Sequence, residues 1–108
     1  MAGGIVRGEV RLYQFAAPDK KRPVVVLTRN SSLRFLSSVT IAPVSSTIHG
    51  VASELVLTED DGMKSPCAVN LHNVVTVPKD RIGKRVGQLN EERVKQLCAA
   101  LRFSLGCD

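Results

Sequence analysis

The chain has no tryptophan, one tyrosine and three phenylalanines in 108 residues. A sheet that grips single-stranded nucleic acid by stacking bases on aromatic rings needs more of them, so contact with nucleic acid must lean on cations and hydroxyls. Cysteine is scarce too: Cys67, Cys98 and Cys107 are odd in number and lack C-x-x-C spacing, which argues against a disulfide framework and a zinc site. They read as small buried hydrophobes, with Cys107 a free thiol. His49 and His72 stand apart without a matching Cys or Asp pattern, so metal binding is not expected; His49, which follows a Ser/Thr cluster, is a candidate substrate contact. Glu59-Asp60-Asp61-Gly62 lacks the alternating ligands and distal glutamate of a calcium loop and reads as a solvated turn. Apolar runs fall far short of the ~20 residues a bilayer crossing takes, and the N-terminus shows no basic-then-apolar signal pattern. The expectation is a soluble, cytoplasmic protein in which Met1 to Gly4 form a flexible lead. G-x-S-x-G, phosphate-loop and H-E-x-x-H patterns are all missing as well.

What the chain does have is positive charge and short strands. Fifteen Lys and Arg against ten Asp and Glu give a net charge of +5, which favours an acidic partner such as RNA, DNA, an anionic membrane or an acidic protein segment. A chain of this length, residues 1–108, is one domain with room for one site. Strand signals run from Val6 to Phe15, from Val24 to Leu27, from Val39 to Val44, from Glu54 to Leu57, from Cys67 to Leu71 and from Val74 to Val77. Turn residues separate them, which suggests a small, highly curved antiparallel sheet or barrel. The tail is helical: Asn90 is a good N-cap, Glu91 and Glu92 suit the first turn, and Gly106 supplies the stop. Val94, Leu97, Cys98, Leu101 and Leu105 make an apolar stripe for packing on the sheet, with Arg93, Lys95 and Arg102 mostly facing water.

The run R-P-V-V-V-L-T, Arg22 to Thr28, puts a fixed cation at the mouth of an apolar block whose β-branched members favour a buried strand. Pro23 can open such a strand but not sit inside it. Lys20 and Lys21 precede Arg22, so these cations either converge on one anion or form a solvated basic loop. Arg22 starts the second strand and Ser45 ends the third. If those strands pair antiparallel, the two ends meet, and an Arg fork beside a hydroxyl can hold a scissile phosphate without a metal.

R-G-E-V at Arg7 to Val10, R-P-V-V-V-L at Arg22 to Leu27 and V-T-I-A-P-V-S at Val39 to Ser45 resemble the MazF/PemK toxins, ribosome-independent endoribonucleases of type II toxin-antitoxin systems. The resemblance continues through Asn70 to Ile82 and into the terminal helix. It implies a small SH3-like barrel of five to seven antiparallel strands with a C-terminal amphipathic helix, a mainly β (α+β) fold. It also implies a homodimer, a single-stranded RNA substrate, and a cognate antitoxin with an acidic flexible C-terminal segment. By resemblance the catalytic residues are Arg22 and Ser45; Lys20, Lys21, Asn30, Ser46 and His49 are the candidate RNA contacts, and no metal or other cofactor is expected. The G-[ST]-E-[QP] loop common in the family is replaced by Ala16-Ala17-Pro18-Asp19-Lys20-Lys21, so the cleavage sequence does not transfer. A gyrase-binding toxin of the CcdB type is one alternative, against which the missing tryptophan weighs, and a non-catalytic RNA-binding module is another.

Overall fold

Val24, Val25 and Val26 are all fully buried, which a strand manages only when both its faces are covered. In the computed structural model, which describes residues 4–16 and 21–107, they lie in β2 (Lys21–Val26). This strand runs antiparallel between β1 (Glu9–Gln14) and β3 (Ser38–Ser45). Val25 joins the larger core with Val10, Ala42, Val44, Leu57 and Leu97, while Val24 and Val26 join a smaller one with Leu33, Val39 and Ile41. Each buried valine contributes about 1.5–3 kcal/mol. Pro23 sits inside the strand rather than at its opening. It pairs with Leu12 on β1, and the ladder to β3 starts one residue later, at Val24 opposite Pro43.

β3 is the hub. One edge pairs with β2; the other pairs first with β6 (Val75–Pro78), from Ser38 to Ile41, and then with β5 (Cys67–Asn70), at Val44 and Ser45. Ala42 and Pro43 fall in the changeover, where no partner strand on that edge calls for a proline N–H. The full path is β4 (Glu54–Leu57), β5, β3, β2, β1 and β7 (Arg85–Gln88), with β6 beside β3. Seven antiparallel strands thus curl into a half-barrel with a C-terminal helix, as the sequence suggested. A short helix α1 (Asn30–Leu33) follows β2. Neither α1 nor β7 was anticipated: β7 exposes three of its four residues at a sheet end and carries almost no apolar pattern.

The R-G-E-V segment is architectural. Gly8 takes φ +88, and a Cβ there would lie 2.9 Å from Val94 Cγ2, so the turn into β1 can pack on the terminal helix only without a side chain. This turn also shortens β1, which begins at Glu9 rather than Val6. Glu9 is buried and accepts from Val6 N–H (2.9 Å) and Arg11 Nε (3.0 Å), while the Arg7 guanidinium donates to Cys98 Sγ at 2.8 Å.

Helix α2 (Glu91–Leu105) starts where Asn90 Oδ1 accepts the Arg93 N–H at 2.9 Å, a cap worth ~1 kcal/mol, and stops at Gly106 with φ 72. Leu97 and Ala100 are buried, and Val94 and Leu101 pack beside them. Two expectations fail here. Leu105 is 60% exposed, as is most of Phe103, so the apolar stripe is not buried in the last turn. Arg93 does not face water: it forks onto Asp61, whose carboxylate is nearly buried, so Glu59–Asp61 is an anchored one-turn 3-10 helix rather than a solvated turn. No helix among the described residues is long and apolar enough to cross a membrane.

Candidate active site

Continuing the β2–β3 register two residues beyond Val24–Pro43 sets Arg22 opposite Ser45. Both line one cavity of about 450 Å³, together with Lys21, Ser46, Met63, Lys64, Ser65 and Cys67. The Val24–Val26 block fixes this placement. It is locked by burial on both faces, so the chain just before it emerges at a set point, where Lys21 and Arg22 become exposed. Among the described residues, nothing hydrogen-bonds or ion-pairs with the Arg22 guanidinium, which leaves its five donors for a ligand. Ser45 is half-buried, and its Oγ accepts the Thr47 N–H at 3.0 Å. That bond uses a lone pair, so the hydroxyl hydrogen stays free to be donated.

The described lining holds three cations (Lys21, Arg22, Lys64) and three serine hydroxyls, and no Asp, Glu or His. Burial, with a smaller push from the Asp61 charge, raises the Cys67 thiol above its ordinary value and keeps it protonated. The cavity is therefore built to bind an anion and to stabilise more negative charge as it develops. Among the described residues, no group of three or more His, Cys, Asp or Glu side chains is arranged to hold a metal ion.

The other candidates divide. Lys21 and Ser46 belong to the cavity, and Lys20 lies outside the described residues together with Asp19. Asn30 is elsewhere: its Oδ1 accepts the Arg7 N–H at 2.8 Å beside a separate cavity lined by Ile5, Leu33 and Arg34. His49 is exposed and outside the lining; its N–H and that of Gly50 donate to Glu54 Oε1 at 3.0 and 2.9 Å, and its ring nitrogen lies 3.7 Å from Glu54 Oε2. Burial alone would raise the Glu54 carboxyl. The Gly50 and His49 N–H groups and the imidazole outweigh it and hold the carboxyl below its ordinary value. His49 thus helps tie down the β3–β4 connection. His72 Nδ1 pairs with Ser53 Oγ at 2.7 Å, away from the cavity.

Sequence reasoning passed over Met63, Lys64 and Ser65. They became part of the site because β5, which they precede, pairs with the last residues of β3, Ser45 opposite Ala68. The one available signal was a cation between an acidic turn and the apolar run from Cys67.

The model of PemK-like, MazF-like toxins of type II toxin-antitoxin systems matches residues 6–105. "Probable endoribonuclease MazF2" of Mycobacterium tuberculosis is 36% identical over 102 residues, covering 94% of this chain and 98% of that protein. Endoribonuclease MazF3 of the same organism is 33% identical over 99 residues, covering 92% and 96%. Among solved structures, the Mycobacterium tuberculosis toxin MazF-mt6 superposes with a TM-score of 0.83 at 30% identity, covering 93% of this chain and 98% of that one. The chain belongs to the PemK-like, MazF-like toxins of type II toxin-antitoxin systems.

Proposed function

We propose that this toxin is an endoribonuclease that cuts single-stranded RNA in the cavity shared by Arg22 and Ser45, without a metal ion in the chemistry. Its relatives bear endoribonuclease names, which favours the nuclease over the gyrase-directed and non-catalytic alternatives. The observation that carries the mechanism is the pairing of an unengaged guanidinium with a donor hydroxyl at adjacent strand ends.

The RNA 2′-hydroxyl is already positioned next to phosphorus, so the enzyme needs no external nucleophile. As 2′-O attacks, the P–O5′ bond breaks, leaving a 2′,3′-cyclic phosphate and a 5′-hydroxyl; solvent takes the 2′-hydroxyl proton and returns one to O5′. A guanidinium has no lone pair to accept a proton, so Arg22 does not serve as the base. It holds the non-bridging oxygens and neutralises charge as the phosphorane forms, while Ser45 donates to the same phosphate. Lys21 and Ser46 hold the adjoining backbone. A cognate antitoxin keeps the toxin in check, the working form is a homodimer, and the site of action is the cytoplasm, where the RNA is.

The test is incubation of purified protein with RNA in EDTA, followed by mapping of fragment ends. We expect cyclic phosphate and 5′-hydroxyl ends, and Arg22→Ala should lose ~10²–10³ in rate with an unchanged melting temperature. Normal cleavage by Arg22→Ala would overturn the assignment, and activity abolished by EDTA and restored by magnesium would overturn the metal-free reaction.

A further inference from the structure

In the sheet, β3 lies between β5 and β2, so Ser45 is flanked by the Arg22 end of β2 on one side and by Ala68 of β5 on the other, with Met63 to Ser65 just ahead of β5. That segment, Met63 to Ser65, lines the same cavity as Arg22 and Ser45. Strands β2 and β5, on either side of β3, lie about two strand spacings of ~4.8 Å apart, a gap that long arginine and lysine side chains on the rim of one cavity can span. The cavity of about 450 Å³ is large enough to take a phosphodiester with the groups on either side of it.

Lys64 is exposed, and among the described residues its ammonium has no hydrogen-bond or ion-pair partner. The chain that carries it is nevertheless held. Thr58 caps the one-turn helix Glu59–Asp61, the Met63 N–H returns to Thr58 O at 3.3 Å, and Arg93 pins Asp61 to α2 through two bonds of 2.9 and 2.8 Å. Downstream, Cys67 is fixed in β5 opposite Leu57. Two unengaged cations and a hydroxyl lining one cavity, one of the cations on an anchored segment, are an arrangement for one shared anion.

We propose that Lys64 is a further catalytic residue that contacts the same phosphodiester as Arg22, from the β5 side of the cavity. This rests on the nuclease reading of the site. In the ground state the phosphodiester carries one negative charge, which Arg22 and Ser45 can satisfy. Addition of the 2′-oxygen places a second charge on the phosphorane. A second cation therefore gains more in the transition state than on binding, and its removal falls chiefly on kcat.

The experiment uses Lys64→Met, Lys64→Gln and Lys64→Arg in the full chain, with single-turnover cleavage at saturating RNA and salt-dependent binding of a 2′-O-methyl RNA that cannot be cleaved. With melting temperatures unchanged, Lys64→Met and Lys64→Gln should lose ~10²-fold in kcat. They should also lower the slope of log affinity against log salt by ~0.7, the value for one single-strand phosphate contact. Lys64→Arg should keep the slope and most of the rate. Wild-type kcat in a folded Lys64→Met overturns the proposal. So does a reduced slope with kcat intact, which would move Lys64 to a neighbouring phosphate, or a reduced kcat with the slope intact, which would make its role structural. Failure of the nuclease reading has a different signature: the wild-type protein leaves RNA uncut, or Arg22→Ala cuts normally.

Discussion

Replacing Arg93 by methionine tests how the Lys64 wall of the cavity is held. The guanidinium makes two bonds to Asp61, and its Nη2 also donates to the Val56 carbonyl at 2.6 Å. The two side chains are only 23% and 7% exposed, so the pair is unlike the open surface pairs worth ~0–1 kcal/mol. Removing one partner of a fully buried pair costs ~3–5 kcal/mol, and water reaching the remaining exposed part of this one lowers the expected loss to about 2–3 kcal/mol. Methionine preserves most of the aliphatic stem, so packing changes little. In a domain of this size the loss corresponds to a drop of about 10–15 °C in melting temperature, read by circular dichroism. The pH dependence has a defined sign. Hydrogen bonding to Arg93 holds the Asp61 carboxyl below its ordinary value of 3.8 against the opposing pull of burial, so the pair's stabilisation is complete above that value and lost as pH falls through the lower folded value. The gap between wild type and Arg93→Met should be constant near neutrality and close on acidification below pH 3.8. A melting temperature within about 3 °C of wild type at pH 7, or a gap unchanged at about pH 2, refutes the reasoning.

Glu54→Gln should speed hydrogen exchange at the His49 and Gly50 amides by removing the charge they donate to; because the folded carboxyl titrates below 4.5, wild-type protection should hold above that pH and fade beneath it, and equal exchange in the two proteins refutes the role. Gly8→Ala should cost about 1–3 kcal/mol, since alanine resists φ +88 and its methyl meets Val94 at 2.9 Å; chemical denaturation within about 0.5 kcal/mol of wild type would count against the close approach.

Much of the framework was legible because local physics wrote it. The valine block, the alternation before it and the Asn90 cap each answer to a short-range rule, and the structure agrees to within a residue or two except where Gly8 turns the chain at the start of β1. The Arg22–Ser45 meeting needed one further assumption, antiparallel pairing of successive strands, which holds. What stayed hidden depends on non-local pairing. Lys64 belongs to the cavity only because β3 exchanges β6 for β5 midway along its edge, and no sequence period marks that exchange. Asp61 and Arg93 looked solvated for the same reason: each is an ordinary surface residue until the fold brings the 3-10 turn against α2. Asn30 and His49 failed to join the cavity because nearness in sequence to a strand end does not fix which side of the sheet a loop covers.

The strand that carries Arg22 is buried on both faces up to Val24 and exposed one step before Pro23. The buried core and the exposed cations of the cavity therefore sit in adjoining but separate stretches of chain. The exposed cavity residues Lys21, Arg22, Lys64 and Ser65 can each be exchanged while the valine ladder stays intact, so the chemistry of the cavity can be altered without rebuilding the core. Loss of function in a variant at one of those four positions that keeps its melting temperature would then report on the cavity and not on the core.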